Sequence, residues 1–595
     1  MSVLGLLREP PRSHSPAAIW WWSGEPLRRD RLRWQLERLV AGGVHHLGVL
    51  NLAPSGPLFG SDADDPPFQS QEWWDLLDGV CADAFELGAY LWFYDQLGFS
   101  GADLQARLVQ ENPSFAGRWL EADGSVTTRG FDYLSRTACA VLLDRVHGEF
   151  ERRLGHWFGR VIVGSFQDEL PALPTWAPSL AGLEGAAYQR ARAELAESAF
   201  FRPLHDWHVR HGLLHGCDQQ DPARAGHPVE GVELYADYPR THRWFTAPGS
   251  DHHGDAHLHS SLAHLYGRPR TWIEAFHSSG WGGTLEETFD WLLPWLRAGA
   301  TLYNPHAVYY STRGSWWEWA PPATDWRQPY WRHHKVFADA VTRLCAVLSQ
   351  GRHLCDIAVL HPTATVQADP RGPAAERAQR VYREIVGDMT WFDTRPGVLD
   401  RLCLDFDVID DDSVRRATVT AGRLTVSTEA YRVIILPAVS EVDERLLEFE
   451  RAGGVLIRAS SAEEVETALS GYVAQVVAPV TPLVREVDGT TVVFLTAAAR
   501  ASEIGVGKPA ERGVELGWLD ARIDFSPERY AREMPVRVRG VEGAPLLAEP
   551  FSGRVRALPY TVVDGVVEVM VPFDDGPAAL LLFDGSHPAP APVQP

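Results

Sequence analysis

Two glutamates in the first half of the chain are the residues best suited to acid–base chemistry. Glu169 follows the apolar run 161–166, and Glu274 lies between Trp272-Ile273 and Ala275-Phe276. Hydrolysis of a glycosidic bond needs one protonated carboxyl group at the leaving oxygen and one ionised partner. The sequence predicts Glu169 as the general acid and Glu274 as the base that activates water, and the reverse assignment stays open.

Asp168 directly precedes Glu169. On a regular strand, successive side chains point to opposite faces, so one of the two is expected to be catalytic and the other to bind substrate. A neighbouring carboxylate raises the pKa of an acid, which suits a proton donor. Asp168 itself as the acid is the alternative.

Polar and aromatic residues follow the ends of other predicted strands. Of the 23 tryptophans, 21 lie at or before Trp331, and aromatic rings stack on the C–H faces of sugars while polar groups bind the hydroxyls. We therefore predict a substrate-binding set made of Trp22, Asn51, Tyr94, Asp95, Gln96, Asp168, Asp218, His253, Trp281, His306 and Tyr310.

Two other chemistries compete with this prediction. His253 and His257 stand four residues apart, as on a zinc-binding helix, but Gly254 replaces the glutamate that an HExxH mechanism needs. A helix start or a substrate contact is the favoured interpretation there, and the metal ligands stay unknown. Nucleophilic catalysis is not favoured, because the chain has no GxSxG motif and Cys217 has no motif around it.

The elements that would position these residues alternate between strands and helices. Seven or eight β-then-α units occupy about the first 330 residues, which predicts an α/β protein with a (β/α)8 TIM-type barrel over 1–350. In such a barrel the carboxyl ends of the strands converge on one face, where active sites lie. An open sheet would need a Gly-rich phosphate turn after its first strand, and none is present.

The pattern changes after residue 350. Strand and helix signals over 351–470 predict a flavodoxin-like α/β domain without a phosphate loop, and short strands over 471–586 predict a small β-sandwich. The Pro/Ala-rich residues 587–595 predict a disordered tail.

Charge and composition limit the partners. The formal net charge is −23, which argues against nucleic acid and anionic lipid. No apolar run approaches the ~20 residues of a membrane span, and no secretory signal is recognised. Six cysteines without a CxxC pair are typical of free thiols in a reducing compartment, so a cytoplasmic protein is expected, and a homo-oligomer stays open.

Several segments resemble a known family. They are Trp92-Phe-Tyr-Asp-Gln-Leu-Gly-Phe-Ser-Gly101, Ser165-Phe-Gln-Asp-Glu169, 260–276 with Gly280-Trp-Gly282 behind it, and 304–310. Together with segments 406–410, 431–437 and 452–454 they resemble the family 106 α-L-rhamnosidases over roughly residues 17–460. The resemblance implies a barrel glycosidase that acts from the non-reducing end with inversion, with Glu169 and Glu274 as the acid/base pair.

The same resemblance implies no required cofactor and allows a calcium ion at the active site, with Asp95 and Asp168 as sugar or ion contacts. The expected function is thus hydrolysis of a terminal deoxyhexose, α-L-rhamnose first, from a small or oligosaccharide glycoside. The domain order also resembles the retaining family 42 β-galactosidases, whose Asn-Glu pair is replaced here by Asp168-Glu169. A barrel that binds glycans without cleaving them is a third possibility, because Gln96 stands where the family shows an acid.

Overall fold

The computed structural model describes residues 2–22, 24–51, 65–95, 102–219, 226–251, 256–275, 283–312, 324–389, 395–505 and 522–585. Within them no helix is both long enough and apolar enough to cross a bilayer. All six cysteines are free thiols.

The front part of the chain is built on parallel strands. They are β1 (Ile19–Trp21), β2 (His46–Leu50) and β3 (Tyr90–Tyr94), then, after the antiparallel hairpin β4 (Ala116–Leu120) and β5 (Val126–Phe131), β6 (Ile162–Leu170), β7 (Leu214–Gln219), β8 (Gly249–Ser250), β9 (Trp272–Ala275), β10 (Leu302–Pro305) and β11 (Val308–Tyr309). They form one sheet in the order β11-β1-β2-β3-β6-β7 and another in the order β10-β9-β8.

The two sheets are hydrogen-bonded to each other on both sides. On one side the amide of Ala247, just before β8, donates to the carbonyl of His215 in β7 at 2.9 Å. On the other side the amide of Ala17, just before β1, donates to the carbonyl of Tyr303 in β10 at 2.8 Å. In addition, β10 and β11 are separated only by two residues, and β11 pairs with β1.

Helices connect the strands, as the alternating pattern predicts. They are α1 (Val3–Arg8), α2 (Arg29–Ala41), α3 (Gln71–Leu87), α4 (Ala102–Glu111), α5 (Arg136–Leu143), α6 (Glu149–Leu154), α7 (Gly185–Ala196), α8 (Arg202–His211), α9 (Pro228–Tyr235), α10 (Tyr238–His242), α11 (Ala256–Tyr266), α12 (Leu285–Arg297) and α13 (His334–Leu348), with π-helical turns at Asp144–Gly148 and Glu197–Phe201. The local sequence sets the ends: Ser70 caps α3 by accepting from the amide of Trp73, and Gly88 ends it in the left-handed conformation.

Both sheets contribute side chains to one enclosed core, which we call the strand interior. Its buried members are Ala17, Ile19, Trp21, Leu50, Trp92, Tyr94, Phe166, Ala247, Trp272, Leu302, Ala307 and Tyr309. The ring of Phe166 in β6 stacks on Trp272 in β9, with centroids 4.6 Å apart and an interplanar angle of 17°. This contact joins the two sheets across the interior.

Glycines make room for the indole of Trp272. A Cβ atom on Gly216 would lie 2.6 Å from Trp272 Cε3, and Phe166 holds the indole from another side. We therefore expect Gly216→Ala to lower the free energy of unfolding by ~1–3 kcal/mol, the usual cost of overpacking a core. Urea titration measures it, and Gly471→Ala is the control because a Cβ there meets nothing within 4 Å. Equal stability of the two variants would contradict the described packing.

A four-stranded parallel sheet follows, and its spatial order, β16-β13-β20-β21, is 2-1-3-4 in sequence. A doubly wound sheet of the flavodoxin type shows this order. The strands and helices of this region are β12 (Arg352–His353), β13 (Ile357–Leu360), α14 (Thr363–Ala368), α15 (Pro373–Val386), β14 (Gly387–Asp388), β15 (Arg395–Pro396), α16 (Val398–Arg401), β16 (Asp407–Ile409), α17 (Asp411–Arg416), β17 (Thr418–Thr420), β18 (Arg423–Val426), β19 (Glu429–Tyr431), β20 (Val433–Pro437), α18 (Glu444–Arg451), β21 (Val455–Ala459) and α19 (Ala462–Leu469).

The last part consists of antiparallel strands. They are β22 (Val476–Val477), β23 (Leu483–Val487), β24 (Thr490–Thr496), β25 (Ile504–Gly505), β26 (Arg522–Ile523), β27 (Glu533–Arg539), β28 (Leu546–Ala548), β29 (Val555–Ala557), β30 (Tyr560–Val563), β31 (Val566–Pro572) and β32 (Ala578–Phe583). Sheets β12-β23-β24-β32-β28-β29 and β22-β27-β31-β30 share one buried apolar cluster. The other face of the first sheet packs on α12 and α13 of the front part.

Candidate active site

Glu274 lies at the end of β9 on the inner side of the strands. It is two residues after Trp272, so the period of two places both side chains on the same face, and Trp272 belongs to the strand interior. Asn304 of β10 is the direct partner of Glu274 in the parallel register. We call the carboxyl ends of these parallel strands the strand mouth. Glu274 is 6% exposed there, which leaves its carboxyl group largely shielded from water.

The amide of Asn304 is a second polar group at this place. Asn304 is 1% exposed, and its Nδ2 atom has no hydrogen-bond partner within the described residues. A buried N–H group without a partner costs about 1–3 kcal/mol, so such groups are normally completed by water or by a ligand. The amide next to Glu274 is therefore available to a bound hydroxyl group.

Strand β6 is irregular where it carries Asp168 and Glu169. Its register with β7 shifts between Gln167 and Leu170, and Glu169 has a φ of 47°, in the left-handed region. Non-glycine residues in this region cost ~1–3 kcal/mol and cluster at functional sites. Asp168 and Glu169 are both half-buried, whereas Gln167 and Leu170 are buried. On a regular strand only one of the two side chains would face the mouth, but this strand is not regular, so that restriction does not apply.

Tyr94, at the end of β3, orients Asp168. Its ring belongs to the strand interior, and its hydroxyl donates to Asp168 Oδ2 at 3.1 Å. A hydrogen bond to an ionised carboxylate contributes about 1.5–3 kcal/mol and restricts the group to one position. Asp168 is thereby tied to the aromatic wall of the mouth.

We expect Tyr94→Phe to raise KM or lower kcat about 5- to 50-fold. Without the hydroxyl, Asp168 loses one charge-assisted hydrogen bond and is no longer held in the position from which it would bind substrate. The fold should persist, since the phenyl ring still fills its place in the interior. Steady-state kinetics on a cleaved glycoside measure the effect. Wild-type kinetics in Tyr94→Phe would show that the position of Asp168 does not matter for turnover.

Aromatic rings line the side of the mouth formed by β1 and β11. The centroids of Trp21 and His306 are 5.3 Å apart, and those of Trp21 and Tyr309 are 6.0 Å apart. Trp21 and Tyr309 are also register partners in the parallel pair. His306 was predicted from its position after a strand, whereas Trp21 and Tyr309 were not.

The residues that the sequence predicts as substrate contacts are instead the neighbours of these two, Trp22 and Tyr310. The structure places both outside the strand interior, so their placement does not support a contact with substrate. Trp22 is fully buried against Trp73 of α3. The hydroxyl of Tyr310 donates to the carbonyl of Pro26. A shift of one residue along a strand reverses the face, and in a strand without polar residues such as β1 the sequence gives no alternation to fix it.

Asp95 and Asn51 are buried behind the strand ends. Asp95 is 0% exposed, with Oδ2 3.5 Å from His215 Nε2 and 3.9 Å from His147 Nε2. Burial holds the pKa of both imidazoles well below the ordinary value. Asn51 accepts a hydrogen bond from the indole of Trp73 at 3.2 Å. These contacts join the ends of β3 and β2 to the helices and the strand packed around them.

The structure does not describe the side chains of four residues in the predicted substrate-binding set. Gln96, His253 and Trp281 lie outside the described residues, and so does the side chain of Asp218.

Asp325 is a carboxyl group near the mouth that the sequence analysis missed. The residue before it, Thr324, donates its amide to the carbonyl of Ala307 at 2.8 Å, which places this segment beside β11. Burial raises the pKa of Asp325 to about 6, against the opposing charge of Arg327. Burial raises the pKa of Tyr309 well above its ordinary value, and the charges of Asp325 and Glu274 add to the shift. Asp325 follows no strand end, so spacing could not reveal it.

Comparison with known proteins gives the fold. No protein-family model and no curated protein matches the chain. Among solved structures, a rhamnosidase from Novosphingobium sp. PP1Y superposes with a TM-score of 0.69 at 11% identity, covering 99% of this chain and 84% of that one. The β-galactosidase Gan42B, a GH42 enzyme, superposes with a TM-score of 0.57 at 11% identity, covering 94% of this chain and 96% of that one.

The β-galactosidase from Marinomonas ef1 gives a TM-score of 0.53 at 12% identity, covering 95% of this chain and 99% of that one. At these identities the likeness shows a shared fold and no more. The chain is thus a mixed α/β protein with the fold of these glycoside hydrolases over nearly its whole length. What the site does must be argued from its own residues.

Proposed function

We propose that the protein is a glycoside hydrolase whose residues 1–350 form a closed (β/α)8 barrel. The hydrogen bonds that join the two parallel sheets on both sides support closure, as does the single core that both sheets enclose. Residues 351–470 would then be a flavodoxin-like domain and residues 471–586 a β-sandwich, which agrees with the 2-1-3-4 parallel sheet and the two facing antiparallel sheets.

One observation carries the functional proposal. Glu274 lies with Asn304 on the inner face of the mouth, and Asp168 and Glu169 occupy a distorted strand end on β6. In the proposed barrel β7 and β8 lie between β6 and β9, which would let the two acidic positions face one another across the mouth. This arrangement fits a sugar bound between two carboxyl groups, with Trp21 and Tyr309 beside it for stacking.

The proposed mechanism uses both carboxyl groups. Glu169 protonates the glycosidic oxygen as the bond to the anomeric carbon breaks, and Glu274 takes a proton from the water that attacks from the opposite face. The leaving group departs as a neutral alcohol, and the sugar gains the hydroxyl with inversion. A carboxyl separation of about 6.5–9.5 Å accommodates the water. Asp168, held by Tyr94, and the amide of Asn304 would bind sugar hydroxyls.

The proposed substrate is a glycoside with a terminal deoxyhexose, α-L-rhamnose first. The resemblance of segments 92–101, 165–169 and 260–276 to the family 106 enzymes supports it, and so does the superposition on a rhamnosidase. A mouth rich in aromatic rings also suits the methyl group of a deoxyhexose, which needs an apolar contact where other hexoses carry a hydroxyl. No cofactor is required, and calcium is proposed only as an accessory ion.

A retaining β-galactosidase-like hydrolase is the second candidate, because the GH42 enzyme Gan42B superposes on 94% of the chain. It would use the second carboxylate as a nucleophile, and the two carboxyl groups would then be about 5–5.5 Å apart. A glycan-binding barrel without catalysis is the third candidate, and it predicts sugar binding without release of the aglycone.

A panel of nitrophenyl glycosides tests the proposal. We expect release of nitrophenol from the α-L-rhamnoside and loss of that release in Glu274→Gln. Cleavage of the β-D-galactoside with no action on the rhamnoside would favour the second candidate. Sugar binding by calorimetry without cleavage of any substrate in the panel would favour the third candidate and contradict the proposed activity.

A further inference from the structure

A cluster of histidine and carboxylate side chains lies where three parts of the chain meet. His264 comes from the last turn of α11, His353 from β12 and Asp407 from β16. His264 Nδ1 is 2.9 Å from Asp407 Oδ1, and His353 Nδ1 is 3.2 Å from Asp407 Oδ2. One candidate ligand atom from each residue lies within 4.8 Å of the other two.

We propose that His264, His353 and Asp407 form a binding site for a divalent transition-metal ion, with zinc as the best-suited ion. Two imidazole nitrogens and a carboxylate oxygen are a usual N/O donor set for zinc, and the short spacings require only small movements of the side chains. We expect water to supply a remaining ligand. The ion would connect the front part, the parallel sheet and the sheet that contains β12.

The surroundings of the cluster resemble the outer contacts of protein metal sites. His353 Nε2 is 2.7 Å from Asp405 Oδ2, so the carboxylate can fix the ring with Nδ1 free to bind an ion. Metal-binding histidines commonly hold their second nitrogen in this way. Ser261 and Tyr431 donate their hydroxyls to Asp407 at 3.1 and 2.9 Å, which fixes the carboxylate plane.

The charge balance of the cluster also favours a dication. Glu429 is 1% exposed, and its Oε2 atom has no hydrogen-bond partner within the described residues. Asp405, Asp407 and Glu429 are the acidic side chains of this group, and Arg485, whose Nη1 is 3.3 Å from His264 Nε2, is its cationic side chain. Three acidic side chains therefore surround one cationic side chain, and a divalent ion would offset this excess.

Arg485 must adjust when an ion binds. Coordination through Nδ1 places the proton of His264 on Nε2, which faces Nη1 of Arg485. The guanidinium already donates to the carbonyls of Gln350 and Gly351 at 2.7 and 3.2 Å, so these bonds can hold it after Nη1 turns away. A cleft of about 680 Å³ reaches His353 and Asp405 from the surface and gives an ion a route to the site.

The site is separate from the proposed active site. In a βα unit the helix runs antiparallel to its strand, so the last turn of α11 lies at the amino ends of the strands, opposite the mouth. The ion should therefore stabilise the junction of the three parts without taking part in turnover. Its presence can be tested whether or not the protein cleaves glycosides.

The test measures zinc itself. The full chain is stripped with chelator, and ZnCl₂ binding is followed by calorimetry, metal analysis and the Tm. We expect about one zinc per chain and a higher Tm with zinc, and at least ~10-fold weaker binding in His353→Gln, the usual loss for a metal-site residue. His156→Gln is the matched control, because His156 forms an exposed pair with Asp78 at 3.0 Å and should leave zinc binding unchanged.

Two outcomes would overturn the proposal. One is a wild-type chain that binds no zinc and keeps the same Tm with and without it. The other is undiminished zinc binding in both His353→Gln and His264→Gln, which would place the ion elsewhere. If a variant fails to fold, two measurements on the wild-type chain still decide whether the ion binds at this cluster. They are the zinc stoichiometry and the absorption spectrum of the cobalt-substituted chain, which reports nitrogen and oxygen ligands.

Discussion

Glu274→Gln should lower kcat by at least ~10²-fold on any glycoside that the wild type cleaves, the loss expected when a general base is removed. The amide cannot accept a proton from water, while its shape keeps the contacts of Glu274 at the end of β9. The loss should be the same for good and poor leaving groups, because the base acts on the attacking water. Steady-state kinetics on aryl glycosides of graded leaving-group pKa measure both effects.

A matched control separates chemistry from folding. Glu286→Gln changes an exposed glutamate in the first turn of α12, the helix that follows β9, and should keep wild-type kcat and Tm. Wild-type turnover in Glu274→Gln would remove this residue from the mechanism. A loss of activity together with a collapse of the Tm would show a structural role instead.

Glu169→Gln should also lose at least ~10²-fold in kcat, but mainly with poor leaving groups. A general acid protonates the departing oxygen, and a leaving group that is stable as an anion needs this help less. The contrast with Glu274→Gln therefore assigns the two roles. A leaving-group dependence in Glu274→Gln and none in Glu169→Gln would support the reverse assignment.

Asp168→Asn is the neighbour control for the acid. Its Oδ2 accepts from Tyr94, and we expect mainly a higher KM, because it is assigned to binding. A larger loss of kcat in Asp168→Asn than in Glu169→Gln would transfer the role of acid to Asp168.

The order of strands and helices could be predicted from the sequence because each apolar run ends at a turn or a polar group. The run before Glu169 became β6, and the runs before Glu274 and Asn304 became β9 and β10. Gly88 ends α3 as expected from its position after the helical pattern. These are local features, and local sequence encodes them.

The faces of the strands could not be predicted with the same success. Trp21 and Tyr309 face the interior, while Trp22 and Tyr310 lie outside it, because strand pairing sets the face and all these positions are aromatic. The left-handed backbone of Glu169 breaks the alternation on which the sequence argument depended. Asp325 approaches the mouth because its neighbour Thr324 donates a hydrogen bond to the carbonyl of Ala307, which is a tertiary feature.

Long-range pairing also explains a difference near residue 350. The boundary predicted there groups Arg352 and His353 with the α/β region, whereas the structure pairs them with Glu486 and Arg485 of β23. The chain thus joins the antiparallel sheet first, then forms the parallel sheet and returns. No local pattern in a two-residue strand could indicate this.

The first-formed anomer of the released sugar tests the central claim most directly. Proton NMR, recorded in the first minutes of hydrolysis of the best glycoside from the panel, resolves the two anomers before they interconvert. The two-carboxylate acid/base mechanism with Glu169 and Glu274 requires the anomer opposite to that of the substrate. The retained anomer appearing first would contradict it and would indicate a covalent glycosyl-enzyme formed by one of the carboxylates.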